Sequence, residues 1–264
     1  MLTPATLRTM SVSHIISQKE NTQMPAVFVH GVPETHHIWD DIRSRLSRKD
    51  TVAVDLPGFS TGLPDGFDCT KEAYLGWLIA EVERVGEPVD IVGHDWGALL
   101  TERLAAVRPD IVRTWAAGGG AIDETYVWHN VAQMWQTPGV GEQVMANFTP
   151  DAMVAAFLPE GVPEPTARAM AGRIDDRMKA CVLPLYRSAV KVGDEWGPDL
   201  DNMQRPGLLI WGGKDPYMGV DTARKMAART KAEIVVLDDV SHWWPVQAPD
   251  RAAAALEAFW AKHA

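Results

Sequence analysis

The residues best suited to chemistry are Asp95, Asp215 and His242, each at a place where the chain must bend. Asp95 is the centre of Gly93-His94-Asp95-Trp96-Gly97. Glycines two residues to either side have no Cβ to collide with a neighbouring strand or helix, so the backbone can turn tightly and thrust the central side chain outward. The apolar residues Val89, Ile91 and Val92 read as a buried strand, and residues 98–106 read as a helix. Strand, turn and helix together present a carboxylate at a helix N-terminus, where the G-x-S-x-G form of the motif presents serine. The plainer alternative is an ordinary βα turn with Asp95 as a helix N-cap.

A presented carboxylate restricts the reaction. Attack on an ester or amide carbonyl would give a mixed anhydride, higher in energy than the substrate, whereas attack on a saturated carbon gives an ordinary ester that water can hydrolyse. The expected substrate is therefore a small hydrophobic molecule with an sp3 electrophilic carbon. A base must activate that water. Asp215 sits next to Pro216, just past an apolar stretch at 206–211, which suits a side chain that orients an imidazole without moving. His242 lies in a loop between a strand at 233–237 and a helix at 249–261, and could take the proton. No metal or organic cofactor is needed for this chemistry.

The elements that must position these groups follow a βα rhythm. Residues 11–17 alternate weakly, as an edge strand would, and residues 26–30 form a buried strand that runs into His30-Gly31-Val32-Pro33-Glu34. There Gly31 permits unusual dihedrals and Pro33 fixes the loop, leaving the Val32 amide free to point toward Asp95. Helical spacing at 38–46, a strand at 51–55 and a helix at 70–85 with Thr70 as N-cap and Gly86 as C-cap come next. A further strand spans 111–117. The rhythm stops over 123–205, where Trp, Met and Ala recur at helical spacing, including Val131, Met134, Trp135, Met153, Phe157 and Met170. It resumes at 206, so the division expected is a core of 1–122 and 206–264 with a helical cap inserted at 123–205.

On the motifs G-H-D-W-G, H-G-V-P-E and D-L-P-G, and the chain order Asp95, Asp215, His242, the sequence resembles the aspartate-nucleophile branch of the α/β-hydrolase superfamily, the epoxide hydrolases and haloalkane dehalogenases. The resemblance covers nearly the whole chain. It implies an α/β-hydrolase fold, a mostly parallel doubly wound sheet with an inserted helical cap, and a catalytic triad of nucleophile Asp95, acid Asp215 and base His242. It further implies an oxyanion hole from the Val32 and Trp96 amides. Asp123 is a competing address for the acid, used by some dehalogenases. Tyr186, in Leu183-Pro184-Leu185-Tyr186-Arg187, stands where epoxide hydrolases place a cap tyrosine that protonates the leaving oxygen. A second such tyrosine is not identifiable, and Tyr126, Trp128, His129 and Trp135 are candidate stand-ins. His30, Trp128, His129, Trp135 and Trp243 are expected around the substrate. Val32 stands where dehalogenases often carry Asn, and Glu34 is more like epoxide hydrolases. Epoxide hydrolysis is therefore the reading favoured, with dehalogenation through Trp96 and Trp128 or Trp135 as the alternative, and a non-catalytic ligand-binding protein third.

Composition limits the partners. A chain of 264 residues, 46% hydrophobic, can bury a large core and suits one α/β domain with an insertion. A net charge of −10 with no Lys/Arg run argues against nucleic acid or an anionic membrane surface. Two cysteines, Cys69 and Cys181, cannot build a disulfide framework, and residues 1–19 lack an apolar leader core, so a reducing cytoplasm is the compartment expected.

Overall fold

In the computed structural model, residues 25–264 are described, and the edge strand expected at 11–17 lies outside them. Six parallel strands form one sheet: β1 (Ala26–Val29), β2 (Thr51–Val54), β3 (Val89–His94), β4 (Val112–Gly118), β5 (Gly207–Gly212) and β6 (Glu233–Leu237). Their order is β2-β1-β3-β4-β5-β6. The chain adds β2 on one side of β1 and everything later on the other, so the loops after β1 and β3 leave in opposite directions and open a crevice at their C-terminal ends. Val29 pairs with Gly93 across that point, which brings the turn after β1 against the turn after β3. The central strands β1, β3 and β5 are buried along their whole length, as parallel strands covered on both faces must be.

Twelve α-helices accompany the sheet among the described residues. On the core are α1 (Asp40–Arg45), entered through a 3-10 turn at His36–Trp39, α2 (Lys71–Glu83) and α3 (Trp96–Val107). Thr70 caps α2 through its side chain, accepting from Ala73 N–H, a bond worth about 1 kcal/mol in such positions. The helix ends at Glu83, and Gly86 lies beyond its cap with φ +81° rather than closing it directly.

Between β4 and β5 the chain forms α4 (Asn130–Gln136), α5 (Val140–Ala146), α6 (Pro150–Phe157), α7 (Glu164–Ala171), α8 (Asp176–Ser188) and α9 (Val192–Trp196). Their apolar faces are mostly buried as expected, through Met153, Phe157, Met170, Met178 and Tyr186. Val131 and Met134 are exposed instead, because α4 turns Ala132 and Trp135, one helical turn apart, toward the interior. After β5 come α10 (Val220–Thr230), α11 (Trp244–Gln247) and α12 (Pro249–Lys262). The short α11, directly after His242, has no counterpart in the expectations from sequence. Among the described residues no helix is long and apolar enough to cross a membrane.

Candidate active site

Asp95 occupies the turn between β3 and α3 with φ +52° and ψ −119°, a strained conformation for a residue with a side chain. The surroundings enforce it. Asp95 N–H donates to Gly118 O at 3.0 Å, and its own carbonyl accepts from Ala98 N–H at 2.9 Å. A Cβ on Gly93 would overlap the carbonyl of Gly97, and one on Gly97 would overlap that of Val29, so the two glycines let strand and helix close on each other. The carboxylate is consequently held out into a cavity of about 320 Å³, within the range of small-molecule sites.

The loop after β1 meets it there. Val32 N–H, expected to be left free near Asp95, donates to Asp95 Oδ1 at 2.7 Å. Gly31 matters through space rather than dihedral freedom, since a Cβ on it would overlap that same oxygen. The Trp96 N–H, expected beside the Val32 amide, makes no bond to the carboxylate among the described residues. As the first amide of α3 it is one of the donors a helix leaves unpaired, and it remains available to charge developing at Asp95.

Asp215 and His242 come from the loops after β5 and β6. Asp215 Oδ1 accepts from Tyr217 N–H at 2.8 Å and Met218 N–H at 3.0 Å, which leaves Oδ2 to face His242 Nδ1 at 2.9 Å. His242 Nε2 then lies 3.8 Å from Asp95 Oδ2. Asp123 lines the cavity but spends its Oδ1 on the amide and hydroxyl of Thr125 in a local turn, so the imidazole is partnered by Asp215.

A second hydrogen-bonded pair underlies the first. Glu34 Oε1 contacts His94 Nδ1 at 2.6 Å, Glu34 Oε2 accepts from Gly31 N–H at 2.7 Å, and His94 Nε2 donates to the carbonyl of His242 at 2.9 Å. Burial works to raise the Glu34 carboxyl, but the charge and hydrogen bond of His94, with the Gly31 amide, hold it below its ordinary value. Both ring nitrogens of His94 therefore face oxygen atoms, one on Glu34 and one on the backbone of His242. Glu34, His94 and His242 offer donor atoms within 4.8 Å of one another, the grouping closest to a metal site among the described residues. Glu34 and His94 already commit these atoms to the bonds just described, and a cation there would have to displace them.

Electrostatics divide the charges. Burial, with the nearby Glu34 charge, pushes Asp95 up to about 6 against the pull of His242, His94 and the Val32 amide. Burial opposes the charge on His242, but Asp215, Asp95 and Glu34 outweigh it and push the imidazole up to about 9. Near neutral pH the site thus holds a carboxylate and an imidazolium. Attack by Asp95 would need the ionised carboxylate, so kcat/KM is expected to be at half its plateau at pH about 6, to fall below that value and to be full only well above it. A pH profile whose acid limb lies in the ordinary carboxylate range would contradict this environment for Asp95.

The other expected residues divide. Trp96, Trp128, His129, Trp135, Tyr186 and Trp243 all line the cavity. His30 does not. Its Nε2 accepts from Leu56 N–H at 3.0 Å and its Nδ1 donates to Gly31 O, so this buried histidine ties the loop after β1 to the loop after β2. Burial keeps its pKa low, in keeping with a neutral ring. His129 caps α4 through Nδ1, and burial beside His242 lowers it to about 4. Trp128 donates to Ala189 O, whereas the indole N–H groups of Trp96 and Trp135 are buried without a partner among the described residues. Tyr186 sits within these three tryptophans at ring separations of 5.4, 5.4 and 4.8 Å. Its hydroxyl proton is donated to no described residue. Burial, reinforced by the charge of Asp95, raises the phenol well above its usual value, and the Trp96 indole works the other way. Tyr217 and Glu160 were not identified from sequence, and only Asp215 two residues upstream of Tyr217 hinted at either.

The family model described as Alpha/beta hydrolase family matches residues 26–255. The chain belongs to this family. This α/β hydrolase is 29% identical over 245 residues to a pimeloyl-acyl-carrier-protein methyl ester esterase of Neisseria meningitidis, a match spanning 85% of the chain and 74% of that protein. It is 23% identical over 293 residues to epoxide hydrolase 4 of Mus musculus, spanning 93% of the chain and 75% of that protein. Among solved structures, the haloalkane dehalogenase DbeA from Bradyrhizobium elkani superposes with a TM-score of 0.77 at 22% identity, covering 92% of each chain. That likeness establishes the shared fold.

Proposed function

We propose that this α/β hydrolase opens an epoxide to a diol, with Asp95 as nucleophile, His242 as base, Asp215 as the acid that orients it, and residues 123–205 as a cap over the site. The observation that carries the reading is the Tyr186 phenol, which lines the same cavity as Asp95 edge-on to the Trp96 ring and whose proton has no acceptor among the described residues. Asp95 attacks a ring carbon, the carbon–oxygen bond breaks, and Tyr186 donates its proton to the departing oxygen. The imidazolium of His242 is the reserve from which that proton is replaced.

Ester formation removes the negative charge of Asp95, one of the groups that keep His242 protonated, so the imidazole becomes a better proton donor as the first step completes. Neutral His242 then takes a proton from water, whose oxygen attacks the ester carbonyl while the Val32 and Trp96 amides hold the oxyanion. The diol leaves, and the carboxylate and imidazolium are restored. An ester substrate fits less well, because Asp95 would have to form an anhydride with it.

The indole N–H groups of Trp96 and Trp135, both without an acceptor among the described residues, support halide release as a second reading. A halide, however, leaves without a proton, and the one stored on His242 would have to be shed before water could be activated. Tyr186→Phe separates the readings because it keeps the ring and its packing. Epoxide opening is expected to slow by about 10²-fold or more while release of bromide from a bromoalkane changes little. Stopped-flow measurement of both reactions checks this, and wild-type epoxide opening in the variant would remove Tyr186 from the mechanism.

A further inference from the structure

The loop between α6 and α7 reaches down to the two loops that hold Asp215 and His242, and it does so through one residue. Glu160 Oε2 accepts from Trp243 Nε1–H at 2.6 Å, and Glu160 Oε1 accepts from the Tyr217 hydroxyl. Its backbone carbonyl accepts from Ser241 Oγ–H and from Gln247 Nε2–H, each at 2.6 Å. Tyr217 lies two residues after Asp215, while Ser241 and Trp243 flank His242. The rings of Tyr217 and Trp243 both stand edge-on to the His242 imidazole, at centroid separations of 5.0 Å and interplanar angles of 81° and 86°.

We propose that Glu160 is a positioning residue for His242: its carboxylate pins the Tyr217 hydroxyl and the Trp243 indole, and the two pinned rings hold the imidazole in line with Asp95. Asp215 fixes only one ring nitrogen and leaves the imidazole free to tilt about that bond. The flanking rings remove this freedom. Because Glu160 belongs to 123–205, alignment of the base depends on that segment being seated on the core. The role is geometric, since the charges that keep His242 protonated are those of Asp215, Asp95 and Glu34. Glutamine at this position could do the same work uncharged, its oxygen accepting from Trp243 and its amide donating to the Tyr217 oxygen.

The catalytic consequence rests on the reaction proposed above, in which Asp95 and Tyr186 form the ester and His242 activates the water that hydrolyses it. With styrene oxide and bromobutane as probes, rapid-quench intact-mass analysis follows growth and decay of the Asp95 adduct. In Glu160→Ala, adduct growth is expected to match wild type while its hydrolysis slows by about tenfold or more, the scale on which a misplaced catalytic group costs rate. Glu160→Gln recovers most of that loss. Hydrolysis at the wild-type rate in Glu160→Ala, or a Glu160→Gln variant as slow as Glu160→Ala, overturns the proposal. If wild-type protein forms no adduct with either probe, the reaction itself is misassigned, and a substrate-free readout decides the role of Glu160. The His242 Nδ1–H proton, hydrogen-bonded to Asp215, is followed by NMR for its exchange with water. Faster exchange in Glu160→Ala that is reversed in Glu160→Gln supports the positioning role, and exchange unchanged in Glu160→Ala overturns it.

Discussion

Asp95→Asn is expected to lower turnover by about 10⁴-fold or more, the scale on which removal of a covalent nucleophile costs an enzyme, while leaving the fold intact. A neutral amide cannot displace a leaving group from carbon. It does fill the volume of the carboxylate, its oxygen can still accept from Val32 N–H, and asparagine tolerates positive φ better than most residues. Thermal unfolding should therefore change by no more than about 3 °C. Initial rates in freshly prepared protein are the measurement, because such a site could slowly hydrolyse the amide back to aspartate. Near-normal initial activity in a variant verified by mass would rule out a covalent ester on Asp95.

His242→Gln should separate the two steps. Asp95 is positioned by the turn and the Val32 amide, neither of which requires the imidazole, so on the proposed mechanism the ester is expected still to form. Its hydrolysis loses the base and is expected to slow by about 10²- to 10⁴-fold, the usual contribution of a general base. The adduct then accumulates and appears in intact-mass spectra as protein plus substrate, with peptide mapping to Asp95. A variant that neither holds an adduct nor turns over would show that His242 does something other than activate water.

The part of this protein legible in its sequence is the part made of short-range rules. Two glycines four residues apart, between a β-branched run and a helical one, mark a tight strand-to-helix turn, because the contact that excludes a Cβ on Gly93 is with Gly97 within that turn, while the one that excludes a Cβ on Gly97 comes from Val29 on the paired strand. The same holds for the Val32 amide, whose loop follows directly from a strand paired with the one bearing Asp95. Parallel order could be read as well, since apolar runs separated by helices leave few other ways to bury both sheet faces.

What the tertiary structure alone decided depends on pairs distant in the chain. Asp215 and Asp123 both follow strand ends, and only the packing shows that one faces His242 while the other closes a turn with Thr125. Trp128 and Trp135 have the same side chain and nearby positions, yet one indole N–H is spent on Ala189 and the other has no partner among the described residues, because Trp128 lies in the segment before α4 and Trp135 on its buried face. His30 sits beside the oxyanion loop in sequence and turns away from the cavity, since burying its ring required two backbone partners that only the loop after β2 and Gly31 supply. Glu160 lies far from Tyr217 and Trp243 in the chain and in no motif. A buried donor needs an acceptor from somewhere, but sequence has no record of which acceptor the fold will deliver, and that assignment is made only when distant elements close on one another.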